Sequence, residues 1–369
     1  MNIALIGNNL ANLVLSKILV KMGIKVCLYY YKNNLKISST RTIAISKSNV
    51  EFLKQIDLDP SNFSWPVKNI KIYNEKNISK EIIEFNNQEK YLFLLVKNKL
   101  FFNFLKKKLD KNKNFSKKII PDKFNLNKLM VNKYDLIINS ESNNTLSKKF
   151  FSKRIKKNYK SKAITTIINH EKNNNETAFQ VFTKFGPLAF LPYSKYQTSI
   201  VFSYNKHNTK ILDSEIKILI SNYNKFYKIN SFSVFEKFNL NFSTSKNYYH
   251  KNLLCFSDNL HKIHPLAGQG FNMTLRDIKQ LSKIIDERLN LGLPLDSFVL
   301  KEFCNKTKHM NQIFSTGIDL IYEFFKLENK IDNNYANKFI KYFANNKYFA
   351  NNKFFKDKVP KFADKGLFY

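Results

Sequence analysis

Two glycines flank a glutamine at Gly268-Gln269-Gly270, inside the stretch SDNLHKIHPLAGQGFNMTLRD that runs from Ser257 to Asp277. The whole chain of 369 residues has only 8 glycines. A sequence this sparing of glycine keeps it where backbone must come close to another group, or where φ must be positive. The flanking residues indicate what that group could be. Before the stretch, Leu253 to Phe256 is a short apolar run that reads as a buried strand. After it, apolar residues recur at Phe271, Leu275, Ile278, Leu281, Ile285 and Leu289, the spacing of a helix, which closes at Gly292 with Pro294 beyond. Strand, loop and helix in succession leave the amides of Gly268 to Phe271 unsatisfied at a positive helix end. Such a turn suits an anion or an electron-rich ring edge.

The elements that must hold this turn begin at residue 2. Asn2 to Ile6 reads as a strand, Leu10 to Met22 as a largely apolar helix ending at Gly23, and Ile24 to Tyr31 as a second strand. A βαβ unit of this kind carries a dinucleotide loop when it has the pattern G-x-G-x-x-G. Here the pattern is Gly7-Asn8-Asn9-Leu10-Ala11-Asn12, with Asn9 and Asn12 in place of the second and third glycines. Asparagine tolerates positive φ, so the turn can persist, although its side chain crowds the place of a pyrophosphate. Tyr30 or a neighbouring tyrosine stands where an acidic residue would hold ribose hydroxyls. By itself this opening reads equally as a plain βαβ unit.

Further along, Arg41-Thr42-Ile43-Ala44-Ile45-Ser46 leads into a helix ending near Ile56. Residues 69–95 alternate apolar and polar, as in a half-buried sheet, and Val96 to Leu109 reads as a helix. Another buried strand and turn follows at 134–145, with Glu141-Ser142 at its end. Thr177 to Pro192 reads as a hairpin about Gly186-Pro187. Strands at 163–170 and 197–204 complete a second sheet, 209–225 reads as a helix, 232–247 returns towards the first domain, and 294–325 is helical. Beyond lies a basic, aromatic stretch in which Lys-Tyr-Phe-Ala-Asn-Asn starts at Lys341 and again at Lys347; two copies are too few for a solenoid.

The Ser257–Asp277 stretch resembles the second flavin-binding motif of the FAD-dependent aromatic monooxygenases of the para-hydroxybenzoate hydroxylase type, and within them the ubiquinone-biosynthesis hydroxylases. The matching positions are Asp258, His261, Pro265, Gly268, Gln269, Gly270, Asn272 and Asp277; Ser257 and Thr274 depart from the pattern, Ser257 where the family has glycine. The order of Arg41, the Gly186-Pro187 hairpin and the Gly268 motif supports the same branch. The resemblance covers about residues 2–325. It implies an α/β fold: a Rossmann-like FAD-binding domain at 1–68, 97–160 and 250–327, an inserted mixed β-sheet substrate domain at 69–96 and 161–249, and a C-terminal helical region, with a tail at 328–369. It implies FAD contacts from Gly7, Asn9, Asn12, Arg41, Glu141, Asp258, Pro265, Gly268, Gln269, Gly270, Phe271 and Asn272. Asp258 would meet the ribityl chain, Pro265 and His264 the ring, and the amides of Gly268 to Gly270 the pyrimidine edge. Glu141-Ser142 replaces the family's Asp-Gly, and Lys148 its usual arginine. The implied reaction is hydroxylation of a polyprenylated aromatic quinone precursor with NAD(P)H and O2, beside other ubiquinone-biosynthesis proteins. Loss of glycine at Asn9, Asn12, Ser142 and Ser257 leaves a second reading open, a non-catalytic relative that serves as a scaffold or binding subunit.

Composition sets the remaining limits. The net charge of +34 invites a nucleic-acid reading, yet only four of the 62 basic residues are arginine: Arg41, Arg154, Arg276 and Arg288. Arginine forks dominate base and phosphate recognition, and lysines spread over every segment make no stripe, so no nucleic-acid partner is expected. Enrichment in Lys, Asn, Ile, Phe and Tyr fits A/T-rich codons. Cys27, Cys255 and Cys304 form no metal spacing and fit a reducing, cytoplasmic compartment. No basic leader precedes the first strand and no apolar run reaches about 18 residues, so neither a signal peptide nor a membrane span is expected. The basic aromatic tail is compatible with a peripheral place on the inner membrane.

Overall fold

In the strand Asn2–Ile6 the four residues after Asn2 are apolar and fully buried, the mark of a strand covered on both faces of a parallel sheet. A computed structural model, which describes residues 1–32, 38–75, 78, 81–86, 90–121, 124–130, 134–205, 211–263, 268–328 and 364, places it at the centre of six strands. Lys25–Tyr30 and Leu136–Asn139 flank it in parallel, with Ala4 opposite both Cys27 and Ile137. Phe115–Ile119 lies outside Lys25–Tyr30, and Leu253–Cys255 outside Leu136–Asn139, both also parallel. The chain therefore builds outward on one side, then crosses to the other. That reversal makes a switch point between Asn2–Ile6 and Leu136–Asn139, and open α/β sheets bind ligands beyond the strand ends at such a point.

The Leu10–Lys21 helix crosses between the first two strands. It is buried nearly all round because the helices Asn98–Leu109 and Gln269–Asn290 cover its outer side. A small antiparallel sheet of Thr42–Ser46, Phe93–Lys97 and Ser64–Val67 stands beside it. Phe93–Lys97 thus pairs on the cofactor-domain side, although the alternation over 69–95 reads as one continuous sheet. The helix expected from Val96 starts at Asn98, after this strand.

The second sheet has nine strands, antiparallel except where Thr177–Thr183 runs parallel to Asn69–Asn74. Its backbone is Arg154–His170, a 17-residue strand paired with Glu236–Ser245 on one side and Gln197–Tyr204 on the other. The boundary expected at 160 falls inside this strand. Successive side chains point to opposite faces. On one face Leu188, Phe190, Ile200 and Phe202 pack with Ile216 and Ile220 of the helix Asp213–Tyr223, forming a second core. On the other face small residues such as Ala163, Ala178, Ala189 and Ser203 look towards the cofactor-side domain. The helix Ser297–Glu328 closes the described chain against Gln269–Asn290. No described helix is long and apolar enough to cross a membrane. Apart from Asp364, the expected tail lies outside the described residues.

Candidate active site

The loop after the first strand keeps its first glycine for a steric reason. Gly7 has φ +114, and a Cβ there would come within 2.3 Å of Ser140 Oγ and 2.9 Å of Glu141 Oε1. Ser140 and Glu141 follow Leu136–Asn139, so the two strands of the switch point pack on each other through the missing side chain. Asn9 caps the Leu10–Lys21 helix, accepting from Asn12 N at 3.0 Å and donating to Ser140 Oγ at 2.7 Å. Its φ is −131, so the positive φ expected for an asparagine here is not used. Asn12 is fully buried and donates to Gly7 O at 2.7 Å, Ser140 Oγ at 2.9 Å and Ile6 O at 3.1 Å. It therefore ties the loop together from beneath and does not face a ligand, which corrects its expected place in the cofactor contact. Asn9, Leu10 and Ala11, at the helix start, do line the cavity described below.

The second motif forms as strand, short turn and helix. Ser257, standing where the family has glycine, has φ +54, so the left-handed backbone survives the loss of the glycine. L-residues hold that conformation at a cost of about 1–2 kcal/mol. The turn leaves Asp258 exposed at the cavity and buries Asn259 beneath it. Asn259 donates to Asn139 O and to Ser147 Oγ, both at 3.0 Å, and accepts from the Arg154 guanidinium, which also reaches its backbone carbonyl. Arg154 thus braces the turn from the long strand of the second sheet, a role the sequence pattern does not signal. His261 Nε2 meets Asp277 Oδ2 at 2.5 Å, and Asp277 Oδ1 accepts from Asn311 Nδ2 at 2.9 Å, all three buried. This pair joins the segment before the glycine turn to the helix after it. His264 and Pro265, expected at the ring, lie outside the described residues.

Gly268 has φ +64 and precedes the Gln269–Asn290 helix. Gly268, Gly270 and Phe271 line the cavity; Gln269 does not. Asn272 also turns away: it accepts from Ser46 N and Asn49 Nδ2, both at 3.0 Å, and donates to Ala44 O at 2.8 Å. It clamps the helix start to the strand Thr42–Ser46, which corrects its expected place at the cofactor. Glu141 does not reach the cavity wall either; its side chain packs against Gly7. Arg41 stands exposed at the rim, its carbonyl accepting from Asn98 N at 3.1 Å.

These elements enclose a cavity of about 390 Å³ between the two sheets. The starts of two helices, Asn9–Ala11 and Gly268–Phe271, open into it from one side. The opposite wall is the small-residue face of the second sheet, with Ala178, Ala189 and Val201. Alternation on those strands carried this signal, but it was legible only once the opposite face was known to be a core. Among the described residues no group of His, Cys, Asp and Glu could hold a metal. The donor set suits a long anionic cofactor: two positive helix starts, the first capped at one amide by Asn9, one carboxylate at the rim for hydroxyls, and a glycine whose open side meets, among the described residues, only Ile263 within 4 Å.

No family model matches the chain. Among curated relatives, the mitochondrial ubiquinone biosynthesis monooxygenase COQ6 of Caenorhabditis elegans is 24% identical over 215 residues, 46% of this chain and 48% of that protein. The 3-demethoxyubiquinol 3-hydroxylase of Escherichia coli is 27% identical over 159 residues, 41% of this chain and 40% of that protein. The chain thus spans about half the length, or less, of the curated relatives it matches. Among solved structures, p-nitrophenol 4-monooxygenase PnpA from Pseudomonas putida superposes with a TM-score of 0.75 at 11% identity, covering 97% of this chain and 96% of that one. A point variant of Klebsiella pneumoniae HpxO, complexed with FAD, gives 0.69 at 10% identity, covering 89% and 92%. The chain has the fold of these FAD-dependent monooxygenases and is similar, over less than half of its length, to the ubiquinone-biosynthesis hydroxylases.

Proposed function

We propose that this protein is an FAD-dependent monooxygenase that hydroxylates a polyprenylated aromatic ring on the route to ubiquinone, with NAD(P)H as reductant. The observation that carries the reading is the convergence of two helix starts, Asn9–Ala11 and Gly268–Phe271, on one cavity with an apolar sheet as its far wall. Reduced flavin, when bound, supplies the oxygen activation. The protein supplies position, charge and dryness. Amides at the start of the Leu10–Lys21 helix would hold the pyrophosphate, and Asp258 the ribityl hydroxyls. Amides from Gly268 to Gly270 would face the ring edge where negative charge collects on reduction. Small side chains at Ala178, Ala189 and Val201 leave room for a flat aromatic ring and keep water away from it. The polyprenyl chain partitions into bilayers, so the protein would work at the cytoplasmic face of the inner membrane, alongside other proteins of the pathway.

The scaffold reading gains if Asn9 and Asn12 fill the pyrophosphate place. Asn12 is tucked under the loop, while Asn9 caps one amide of the helix start and donates to Ser140. Asn12 thus leaves the helix start open, which supports the enzyme. Purified protein should be yellow, or become so with added FAD; a protein that stays colourless in excess FAD ends the proposal. Expression in strains each lacking one quinone-pathway hydroxylase should restore quinone in one of them.

A further inference from the structure

The Lys47–Gln55 helix starts without a cap of its own, since the Ser46 side chain accepts from none of the helix's backbone amides. Its missing acceptor comes from Asp364, 316 residues beyond Ser48. Asp364 Oδ1 accepts from Ser48 N at 2.8 Å, and its backbone carbonyl accepts from Ser48 Oγ at 2.9 Å and Ser46 Oγ at 3.4 Å. A carboxylate at this position also meets the positive end of the helix.

The same helix start anchors the glycine turn. Ser46 N and Asn49 Nδ2 both donate to Asn272 Oδ1, and Asn49 Nδ2 also reaches Ser46 Oγ at 3.1 Å. One turn past Asn272, the Arg276 guanidinium lies 4.2 Å from the centre of the Phe314 ring, and its Nη1 is buried without a hydrogen-bond partner. Burial pulls the Arg276 pKa down to about 10, against the opposing charges of Asp277 and Asp364. Asp277 is already engaged by His261 and Asn311. Asp364 is thus the cap of one helix and a counter-charge for the next.

We propose that Asp364 is a positioning residue: its own contacts fasten it to the start of the Lys47–Gln55 helix and, through Ser46, Asn49 and Asn272, it holds the Gly268–Asn272 turn against the cavity. The fastening stands on the contacts alone; the positioning rests on the flavoprotein reading above.

Full-length protein and three variants, Asp364→Ala, Ser48→Pro and the double, separate these parts. Proline is tolerated in the first turn of a helix and removes only the donated N–H and the hydroxyl. Hydrogen exchange over residues 44–56, read by mass spectrometry, reports the fastening. FAD dissociation constants, from quenching of flavin fluorescence, report the positioning. Loss of a cap should speed exchange at the helix start of Asp364→Ala by roughly five- to tenfold. FAD affinity should fall several-fold in each single variant, and the double should be no weaker than either, because both remove one shared contact. Wild-type exchange in Asp364→Ala overturns the fastening. Faster exchange with unchanged FAD affinity, or additive losses in the double, overturns the positioning. If the wild-type protein binds no FAD, it is the function that fails, while exchange still decides the fastening.

Discussion

Gly268 and Gly270 lie two residues apart and lack a side chain for different reasons, so they can be tested as a pair. The sequence treats them alike; the structure does not. Gly268 has φ +64, and a Cβ would sit 3.1 Å from Ala44 Cβ. Gly268→Ala therefore loads the fold itself, by about 1–2 kcal/mol for the left-handed backbone alone. Gly270 lies in the first turn of its helix, where a Cβ would meet, among the described residues, only Ile263 Cγ1, at an ordinary 3.7 Å. Gly270→Val replaces a poor helix former with a better one, a gain of roughly 0.3 kcal/mol, so the melting temperature should hold or rise slightly. The cost falls on the cofactor instead. Forcing extra methyl groups into a filled site costs about 1–3 kcal/mol, which is roughly 5- to 150-fold in Kd. FAD titrations and thermal melts on the same preparations read both effects. Gly270→Val should melt like wild type and bind FAD weakly, whereas Gly268→Ala should melt early. Wild-type affinity in Gly270→Val would show that this helix start does not meet the flavin, and the main support for the functional reading would be gone.

Ser257→Gly should stabilise the protein by about 1 kcal/mol, because it relieves an L-residue of φ +54; an unchanged urea midpoint would refute the strain. Asp277→Ala strands His261 and Asn311 in the interior, and leaving buried polar groups without their partner costs about 1–3 kcal/mol, visible in the same urea titration. The third prediction concerns alkaline pH. Burial pushes the Cys255 thiol up to about 12 from an ordinary value of 9.0. The unfolded chain then loses a proton that the folded chain keeps, so stability falls as pH rises from 9 towards 12. At pH 10 the loss is on the order of 1 kcal/mol. Cys255→Ala should lose less stability than wild type between pH 8 and 10, and parallel curves would refute the assignment.

What the sequence revealed, and what it hid, follows from how each feature is encoded. The βαβ opening and the long glycine-motif helix were readable because their apolar residues repeat at the period of the element that buries them. Phe115–Ile119 was not, because it is a sheet-edge strand with only half-buried Phe115 and Lys117 on its inner side. Phe93–Lys97 was placed in the wrong sheet, since alternation reports a buried face but not which sheet supplies it. Of the residues expected at the cofactor, Asn9, Arg41, Asp258, Gly268, Gly270 and Phe271 line the cavity. Asn12 and Asn272 were placed among them because a motif records which residue is retained, not whether it faces the ligand or the scaffold. Arg154, Ser140 and Asn259 carry no pattern at all; their roles exist only through contacts across more than 100 residues of sequence.

The four positions where glycine has been lost bear on whether the site still works, and each is absorbed differently. Asn9 has extended backbone and spends its side chain on capping. Asn12 lies inside the helix, where no positive φ is called for, and its carboxamide replaces empty space with three hydrogen bonds. Ser142 is exposed in a turn, and its φ is not positive. Only Ser257 keeps a glycine conformation with a side chain on it. Three of the four changes therefore cost the backbone nothing, and the fourth is braced by Arg154 and Asn259 just beyond it. Gly7 and Gly268 remain, the two positions where a Cβ would meet Ser140 and Ala44. Gly270 remains as well, although none of the described residues around it demands a glycine. A glycine there, with its open side on the cavity, is what the proposed flavin contact would require.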